Sequence, residues 1–202
     1  MVVNPVMPVK TPKQPSEKTR CAWCLKDPLY VRYHDDEWGR PVHDDRRLFE
    51  FLVLESFQAG LSWFIILRKR ENFRKAFAGF DASKVARFDQ GMVEKLMGDS
   101  GIVRNRLKIA AAINNARQFM EIQKEFGSFD KYVWNFTGGK TVVNKPRVLR
   151  DILSTSAISD AMSKDMGKRG FKFRGSTICY AFMQAVGIVD DHLSDCWRKK
   201  SK

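Results

Sequence analysis

The 202-residue sequence has no apolar run long enough to span a bilayer, and its N-terminus shows no signal-peptide pattern. Strand-like alternation of apolar and polar residues is scarce, although 44% of the residues are hydrophobic. These shortages exclude a membrane-spanning or disordered chain. They predict a soluble, cytoplasmic, all-α protein with no membrane partner.

Acidic residues are in the minority, with 23 Asp and Glu against 36 Lys and Arg, and the formal net charge is +13. An excess of this size favours a polyanionic partner. Nucleic acid is preferred over a membrane surface because no amphipathic helix with a Lys/Arg face stands out. The alternative is that the charge only aids solubility.

Cysteine and histidine are also rare, with four and three residues. In an intracellular chain such cysteines indicate reduced thiols or metal ligands. Cys21 and His34 have twelve residues between them, and His192 and Cys196 have three, so the four predict a closed tetrahedral zinc site that joins the chain ends. Replacing His34 by Cys24, which forms a CxxC with Cys21, gives a competing ligand set. Free thiols and surface histidines remain a third possibility.

Proline and basic residues are concentrated in residues 1–20, which predict a flexible basic tail before a folded unit at 21–198 and a basic end at 199–202. Residues 21–45 contain two prolines that forbid one continuous helix, and we expect an ordered loop with one helical turn. Periodicity and capping residues predict the longer helices. These run from Arg46 to about Gln58, from Ser62 to about Ala78, from Ile102 to about Phe126, from Ser159 or Asp160 to about Lys168, and from Ser176 to Val186.

Residues 51–67 form an apolar stretch with a single charge, Glu55. A carboxylate in such a run must face water, find a partner or shift its pKa. Glu55 therefore lies on the wet face of a helix, pairs with an arginine, or lies in an aromatic pocket with Trp63 as a wall.

Aromatic residues are dense before this stretch, and together with Trp63 they are able to stack on a planar ligand. Core packing is the alternative for each, and for Trp38 it is preferred. The set is Trp23, Tyr30, Tyr33, Trp38 and Trp63. Aromatic rings with one carboxylate suit a base extruded from nucleic acid.

Two basic elements fit a nucleic-acid backbone. Gly98 and Gly101 permit a tight turn between helices, whose backbone N–H groups are able to bind a phosphate, with Arg104 nearby. Many helical proteins turn at such a glycine pair without binding anything. Lys168 and Arg169 belong to a basic cluster before the last helix, and each is ordinarily a solvated surface charge.

Read together, these motifs resemble the 3-methyladenine DNA glycosylase I family. In chain order they are CxWC, DPLYxxYHDxEWGxPxxD, LFExxxLExxQAGLSW, GIxRxRxKI, SKxMxKRGFKFxGxTICYxFMQAxG and DHxxxC. They cover nearly all of residues 21–196 and together are highly specific. The resemblance implies a helix–hairpin–helix DNA glycosylase architecture, two helical lobes with the base pocket between them, and a structural zinc joining the chain ends.

The resemblance also implies an activity. Family members flip the damaged nucleotide and hydrolyse the glycosidic bond of 3-methyladenine, and more weakly of 3-methylguanine, without a lyase step or a redox cofactor. The partners implied are double-stranded DNA carrying N3-methylated purines and the free 3-methyladenine product. We expect a monomer that is located with the DNA, in the nucleoid if the source is bacterial.

The resemblance implies a role for each site residue. Glu55 contacts the flipped base, and Leu61 wedges into the duplex beside Gly60. The zinc ligands implied are Cys21, His34, His192 and Cys196. The base-binding residues implied are Tyr30, Tyr33, Trp63 and Trp23. The DNA-binding residues expected are Gly60, Leu61, Gly98, Gly101, Arg104, Lys168 and Arg169.

The chain departs from the family pattern at few points. Cys24 is an additional cysteine, and Ala181 stands where relatives often have serine, so any contact from that hydroxyl is absent. Three other functions were weighed. A module that recognises damage without cutting would need no carboxylate against an aromatic wall. A glycosylase with a lysine nucleophile is disfavoured because Lys108 lies too close to the turn, and a zinc hydrolase is disfavoured because four protein ligands leave no open position.

Overall fold

The computed structural model describes residues 18–199, so most of the predicted tail and C-terminal end lie outside the described part. The described chain is mostly helical, as the sequence predicted. Its α-helices are α1 Pro28–Asp36, α2 Asp45–Gln58, α3 Trp63–Ala76, α4 Ala82–Val85, α5 Gln90–Gly98, α6 Arg106–Phe126, α7 Phe129–Asn135, α8 Ala157–Lys168 and α9 Ser176–Ala185. Three short 3-10 turns add to them, at Ala22–Cys24, Ala78–Phe80 and Leu149–Asp151. No helix among the described residues is long and apolar enough to cross a membrane.

Helix α2 forms the centre of the core. Every residue from 48 to 57 is buried, and the helix packs against α3, α6, α7 and α9. Asp44 starts it as the N-cap, accepting a hydrogen bond from the Arg47 backbone N–H at 2.9 Å. A helix buried all round has no wet face, so every polar side chain on it needs a partner or a cavity.

The prediction of a loop at residues 21–45 was wrong for its middle part, where α1 forms nine residues of helix. Proline at the first helical position loses no hydrogen bond, because that N–H has no intrahelical partner. Pro28 holds this position, and the Asp27 side chain accepts from the Leu29 N–H at 2.8 Å. Asp27 followed by Pro28 is therefore a helix start signal in the sequence.

Two helix starts also differ from prediction. Helix α6 begins at Arg106 rather than Ile102, because Asn105 is the N-cap and accepts from the Lys108 N–H. Helix α8 begins at Ala157, capped by Ser156 rather than by Ser159 or Asp160. In both cases the residue whose side chain reaches the backbone N–H three positions later determines the boundary.

A short parallel pairing connects the C-terminal part to the rest of the chain. Strand β1 (Val142–Val143) pairs with β2 (Val189–Asp190), with Val142 opposite Val189. The backbone N–H of Asn144 extends this pairing by donating to the Asp190 carbonyl oxygen at 3.1 Å. The residues that follow β2 are thereby held against α9 and the N-terminal segment.

Candidate functional site

A cavity of about 160 Å³ lies among α1, α2, the start of α3 and α9. Its lining residues are Trp23, Tyr30, Tyr33, Trp38, Glu55, Gln58, Trp63, Ala181 and Gln184. The cavity is smaller than the roughly 300–1,000 Å³ typical of drug-sized ligands. Its size and aromatic lining suit a single planar ring system.

Glu55 is 4% exposed, and its carboxylate has no hydrogen bond or ion pair with any described residue. Burial raises its pKa to about 8. The carboxylate oxygens of Glu55 have no partner among residues 18–199 but remain accessible to solvent. Because Glu55 lines the cavity, these oxygens face it. The two alternatives for Glu55, a wet helix face and an arginine pair, are therefore wrong.

Aromatic rings form the cavity wall around this carboxyl group. The Tyr33 and Trp63 rings lie 5.3 Å apart, and the Trp23 ring lies 4.9 Å from Tyr30 and 5.0 Å from Trp38. Burial raises the pKa of both Tyr30 and Tyr33, so their hydroxyls stay neutral and able to donate. The Trp63 indole N–H is buried without a hydrogen-bond partner among the described residues, and Trp63 lines the cavity beside Tyr33.

Trp38 was assigned to the core, and at 8% exposure it is buried, but it also lines the cavity. Sequence reasoning missed two further lining residues, Gln58 and Gln184. Helical spacing was the available signal, because Gln58 follows Glu55 by three residues on α2. Gln184 follows Ala181 by the same interval on α9.

The turn between α2 and α3 opens beside the cavity-lining Gln58. Gly60 has a φ of +77°, in the left-handed region that glycine adopts without strain. Leu61 follows it and is 37% exposed. Leu61 is therefore able to contact the part of a large ligand that lies outside the cavity.

The segment between α5 and α6 contains the predicted glycine turn. The Asp99 carboxylate accepts from the Gly101 backbone N–H at 2.7 Å. A Cβ at Gly101 would lie 2.9 Å from that same oxygen and 3.0 Å from Asn72, so the turn needs glycine there. Arg104 is exposed three residues further on. Lys69 on α3 donates to the Ser100 carbonyl oxygen at 2.7 Å.

The basic residues at the end of α8 differ in their surroundings. Lys168 is exposed and forms no hydrogen bond or ion pair with the described residues. Arg169 pairs with Glu125 at 2.6 Å and with Asp165 at 2.7 Å, and its guanidinium lies over the Phe126 ring. Lys168 is therefore free to meet an external anion, whereas Arg169 is already engaged within the protein.

The predicted metal ligands come together at the junction of the chain ends. Cys21, His34, His192 and Cys196 are all buried, and their ligand atoms lie within 4.8 Å of one another. The Cys196 Sγ lies 3.4 Å from His34 Nε2 and 3.6 Å from His192 Nδ1. Bonds of 2.3 Å to sulfur and 2.0–2.1 Å to nitrogen give a tetrahedral edge of about 3.6 Å, so the donor set fits zinc.

Neighbouring groups orient both imidazoles. His34 Nδ1 lies 2.8 Å from the Asp35 carboxylate, which leaves Nε2 facing the cluster. His192 Nε2 lies 3.2 Å from the Trp38 carbonyl oxygen, which leaves Nδ1 facing it. Such outer contacts accompany metal-bound histidines and fix their tautomers. The neighbouring Cys21 thiol lowers the pKa of Cys196, which favours the thiolate there.

Cys24 does not join this cluster. Its thiol donates to the Cys21 carbonyl oxygen at 3.1 Å, and burial raises its pKa to about 11. The structure therefore favours the ligand set of two cysteines and two histidines over the CxxC alternative. Cys179 is buried on α9 as a core residue.

Comparison with known proteins agrees with this site. The sequence profile of the family "Methyladenine glycosylase" matches residues 23–199. The chain is 48% identical over 177 residues to DNA-3-methyladenine glycosylase 1 of Escherichia coli, covering 88% of this chain and 95% of the relative. It is 44% identical over 183 residues to DNA-3-methyladenine glycosylase of Haemophilus influenzae, covering 91% and 99%.

Solved structures similar to this chain are also 3-methyladenine DNA glycosylases. A crystal structure of 3-methyladenine DNA glycosylase I superposes with a TM-score of 0.88 at 46% identity, covering 90% of this chain and all of the other. A structure of the Staphylococcus aureus enzyme, described as the basis of its 3-methyladenine recognition, gives 0.87 at 38% identity, covering 91% and 97%. The helical fold and these relatives define the class: the protein is a DNA glycosylase, a hydrolase of N-glycosyl bonds. Within that class, the chain belongs to the methyladenine glycosylase family.

Proposed function

We propose that the protein removes 3-methyladenine, and more weakly 3-methylguanine, from alkylated duplex DNA after flipping the nucleotide into the cavity. The observation that carries this proposal is the unpaired, buried Glu55 in a cavity of aromatic rings. A related structure described as a complex with 3-methyladenine superposes with a TM-score of 0.87 at 37% identity. A damage-recognition module without activity would gain nothing from a buried carboxyl group that lowers stability.

Methylation at N3 makes the base cationic and weakens its bond to the sugar. Water adds at the sugar carbon and loses one proton to solvent. The base departs with the bonding electrons as a neutral molecule, so no strong general acid is needed. Glu55 accepts a hydrogen bond from the base edge, and its carboxylate favours the charge on the sugar as the bond breaks. A cationic base in the cavity also favours the ionised form of Glu55, whose pKa burial otherwise raises to about 8.

Stacking supplies selectivity for the methylated base. The Trp63 face and the Tyr33 ring lie next to each other in the cavity wall, with Tyr30 and Trp23 nearby. A cation over an indole face gains about 0.5–2 kcal/mol, depending on desolvation. Normal adenine is neutral and lacks this gain.

The remaining surface binds the duplex. The segment α5–turn–α6 is a helix–hairpin–helix: Gly98 and Gly101 allow a DNA strand to approach the turn, and the N-terminus of α6 faces a phosphate. Arg104 adds a cation, and Leu61 enters the space left by the flipped nucleotide, where Gly60 allows close approach. Lys168 contacts the backbone directly, while Arg169 contributes by holding the end of α8.

The four-residue cluster holds one structural zinc ion, because its donors, spacing and outer contacts fit that metal. The ion joins the N-terminal segment to the C-terminal end and takes no part in the reaction. We further propose that residues 21–198 form a single glycosylase unit of two helical lobes with the pocket between them, with basic tails at 1–20 and 199–202. The protein acts as a monomer at the DNA in the cytoplasm.

Release of the free base from duplex DNA carrying 3-methyladenine tests this function, with wild type beside Glu55→Gln. We expect wild type to release the base, and we expect Glu55→Gln to have a kcat at least about 100-fold lower. A loss of this size is in the range for a group that stabilises transition-state charge. Glu121→Gln is the matched control, since Glu121 is exposed and pairs only with Lys124. Wild-type turnover by Glu55→Gln would remove the carboxylate from the mechanism. Trapping of the enzyme on DNA by borohydride would instead support a lysine nucleophile.

A further inference from the structure

Asp191, directly after β2, is 1% exposed and accepts three side-chain hydrogen bonds. The donors are the Tyr180 hydroxyl at 2.8 Å, the Gln184 amide nitrogen at 2.7 Å and the Asn144 amide nitrogen at 2.7 Å. Asn144 also lies 3.2 Å from the Tyr180 oxygen. The carboxylate is therefore enclosed by donors from α9 and from the segment after β1.

This network gives the Gln184 amide one orientation. Both Asp191 carboxylate oxygens accept hydrogen bonds, and the NH₂ group of Gln184 is the donor to one of them. The amide carbonyl oxygen Oε1 then points away from Asp191. The Gln184 Oε1 has no protein partner among the described residues and is not sealed from solvent. Gln184 lines the cavity, so this oxygen is accessible to a ligand there.

The lining also has the Gln58 amide and two tyrosine hydroxyls, which are able to donate or accept. The Glu55 carboxylate on α2 and the Gln184 oxygen on α9 are acceptors, and they come from different helices. Ala181 lies one turn before Gln184 and has no polar side-chain atom, so Gln184 is the polar side chain that α9 brings to the lining. The adenine amino group has two hydrogens and satisfies two acceptors. The guanine oxo group at the same ring position has only lone pairs and would be repelled by both.

We propose that Gln184 determines specificity for a purine with an amino group at that position, and that Asp191 is the positioning residue that fixes the Gln184 amide. This inference rests on the proposed base excision and names the group that distinguishes the two N3-methylated purines. A fixed acceptor discriminates because the wrong base leaves it unpaired and opposed by another acceptor.

The test measures kcat/KM for base release from duplexes that contain either 3-methyladenine or 3-methylguanine. Gln184→Met keeps the length of the side chain and removes the acceptor. We expect it to lower the ratio of the two kcat/KM values by about tenfold, through loss on 3-methyladenine. Asp191→Asn frees the amide to rotate, and we expect the ratio to fall in the same direction by a smaller factor.

Tyr180→Phe is the matched control. It removes one donor to Asp191 but leaves an acceptor-only carboxylate, so the ratio should stay at the wild-type value. Parallel losses on both substrates in Gln184→Met, or an unchanged ratio, would overturn the proposal. Metal content and thermal unfolding are measured for each variant, and Gln184→Met decides the question if Asp191→Asn does not fold. Absence of any base release by wild type would refute the proposed function instead.

Discussion

The ammonium group of Lys108 lies 2.8 Å from the Phe57 carbonyl oxygen at the end of α2. It also donates to the Ala59 carbonyl oxygen at 2.5 Å. A lysine from α6 therefore satisfies the last carbonyls of the helix that carries Glu55 and fixes the start of the turn at Gly60. Burial lowers the pKa of Lys108, and this position is a helix cap rather than a nucleophile's site.

Lys108→Met should destabilise the protein by about 1–3 kcal/mol, because it leaves two buried carbonyl groups without a donor. It should also weaken binding to duplex DNA, since the turn at Gly60 loses its anchor. Denaturant unfolding and a binding titration measure the two effects. Lys69→Met is the control, because Lys69 donates to a single exposed carbonyl, that of Ser100. Equal losses of stability in both variants would contradict the capping role.

Gly60→Ala should cost about 1 kcal/mol, since alanine is strained at a φ of +77°. No atom lies within 4 Å of the added Cβ, so the loss comes from the backbone alone. Gly98→Ala is the control, because Gly98 is helical and also has open space around it. There we expect no loss, or a gain of up to about 1 kcal/mol. Chemical denaturation measures the unfolding free energy of both variants. An equal change in Gly60→Ala and Gly98→Ala would contradict the strain argument.

Glu55 should make stability depend on pH. Its pKa is about 8 in the folded protein against an ordinary 4.5, so the folded state binds more protons between these values. The unfolding free energy of the wild type therefore falls as pH rises from 4.5 to 8, by up to about 1.4 kcal/mol per pH unit.

Glu55→Gln removes this contribution. The variant should gain stability relative to wild type as the pH rises from 5 to 8, in urea unfolding at several pH values. Glu121→Gln, at an exposed position, should follow the wild-type curve. Parallel curves for wild type and Glu55→Gln would show that the Glu55 carboxyl group titrates normally.

Removing the metal should destabilise the protein. We expect one zinc ion per chain by elemental analysis, and a metal held at 1,000 times its dissociation constant contributes about 4 kcal/mol. Cys196→Ser should lose the ion and that stability, and a chelator should do the same to wild type. Cys24→Ala should keep the ion, because its sulfur contacts only the Cys21 carbonyl oxygen among hydrogen-bond partners. A chain that purifies without metal at full stability would be inconsistent with the site.

Lys168→Ala should reduce DNA binding, whereas Arg169→Ala should mainly reduce thermal stability. Lys168 forms no ion pair within the described residues, so its loss should weaken DNA binding and lower the slope of log affinity against log salt by about 1. Arg169 is paired with Glu125 and Asp165, so its loss should show first in thermal unfolding. Binding titrations at several salt concentrations, with melting curves, measure both. The prediction fails if Arg169→Ala reduces the salt slope while Lys168→Ala does not.

Much of the fold could be predicted from local signals. Asp44 before α2, Asp81 before α4 and Asp89 before α5 are N-caps in the structure, and aspartate is a residue type that favours this position. The apolar period identified α6 as far as Phe126. The failures were also local. Pro28 starts α1 rather than ending an element, and α8 is capped by Ser156 rather than by the predicted Ser159 or Asp160.

The site was only partly predictable. The residue types of Glu55 and the aromatic cluster suggested a pocket, but the spacing alone left Glu55 free to face water or pair with arginine. Cys24 and His34 were equal candidates as metal ligands until the resemblance to a family was considered. Helical spacing from Ala181 was the only signal for Gln184, and it could not give the orientation of the amide. Asp191 directs that amide, and it meets Gln184 through the turn after α9 and the pairing of β1 with β2.

The sequence by itself determined the helical class, the basic character and the donor chemistry, because composition, period and capping act over a few residues. The tertiary structure decided which side chains share a cavity. Burial of α2 on all sides leaves Glu55 without a hydrogen bond or ion pair to residues 18–199 and raises its pKa. The packing of the chain ends brings the four metal ligands together. The packing of α9 against the residues after β2 fixes the Gln184 amide. These outcomes depend on contacts between remote segments, and no local pattern specifies them.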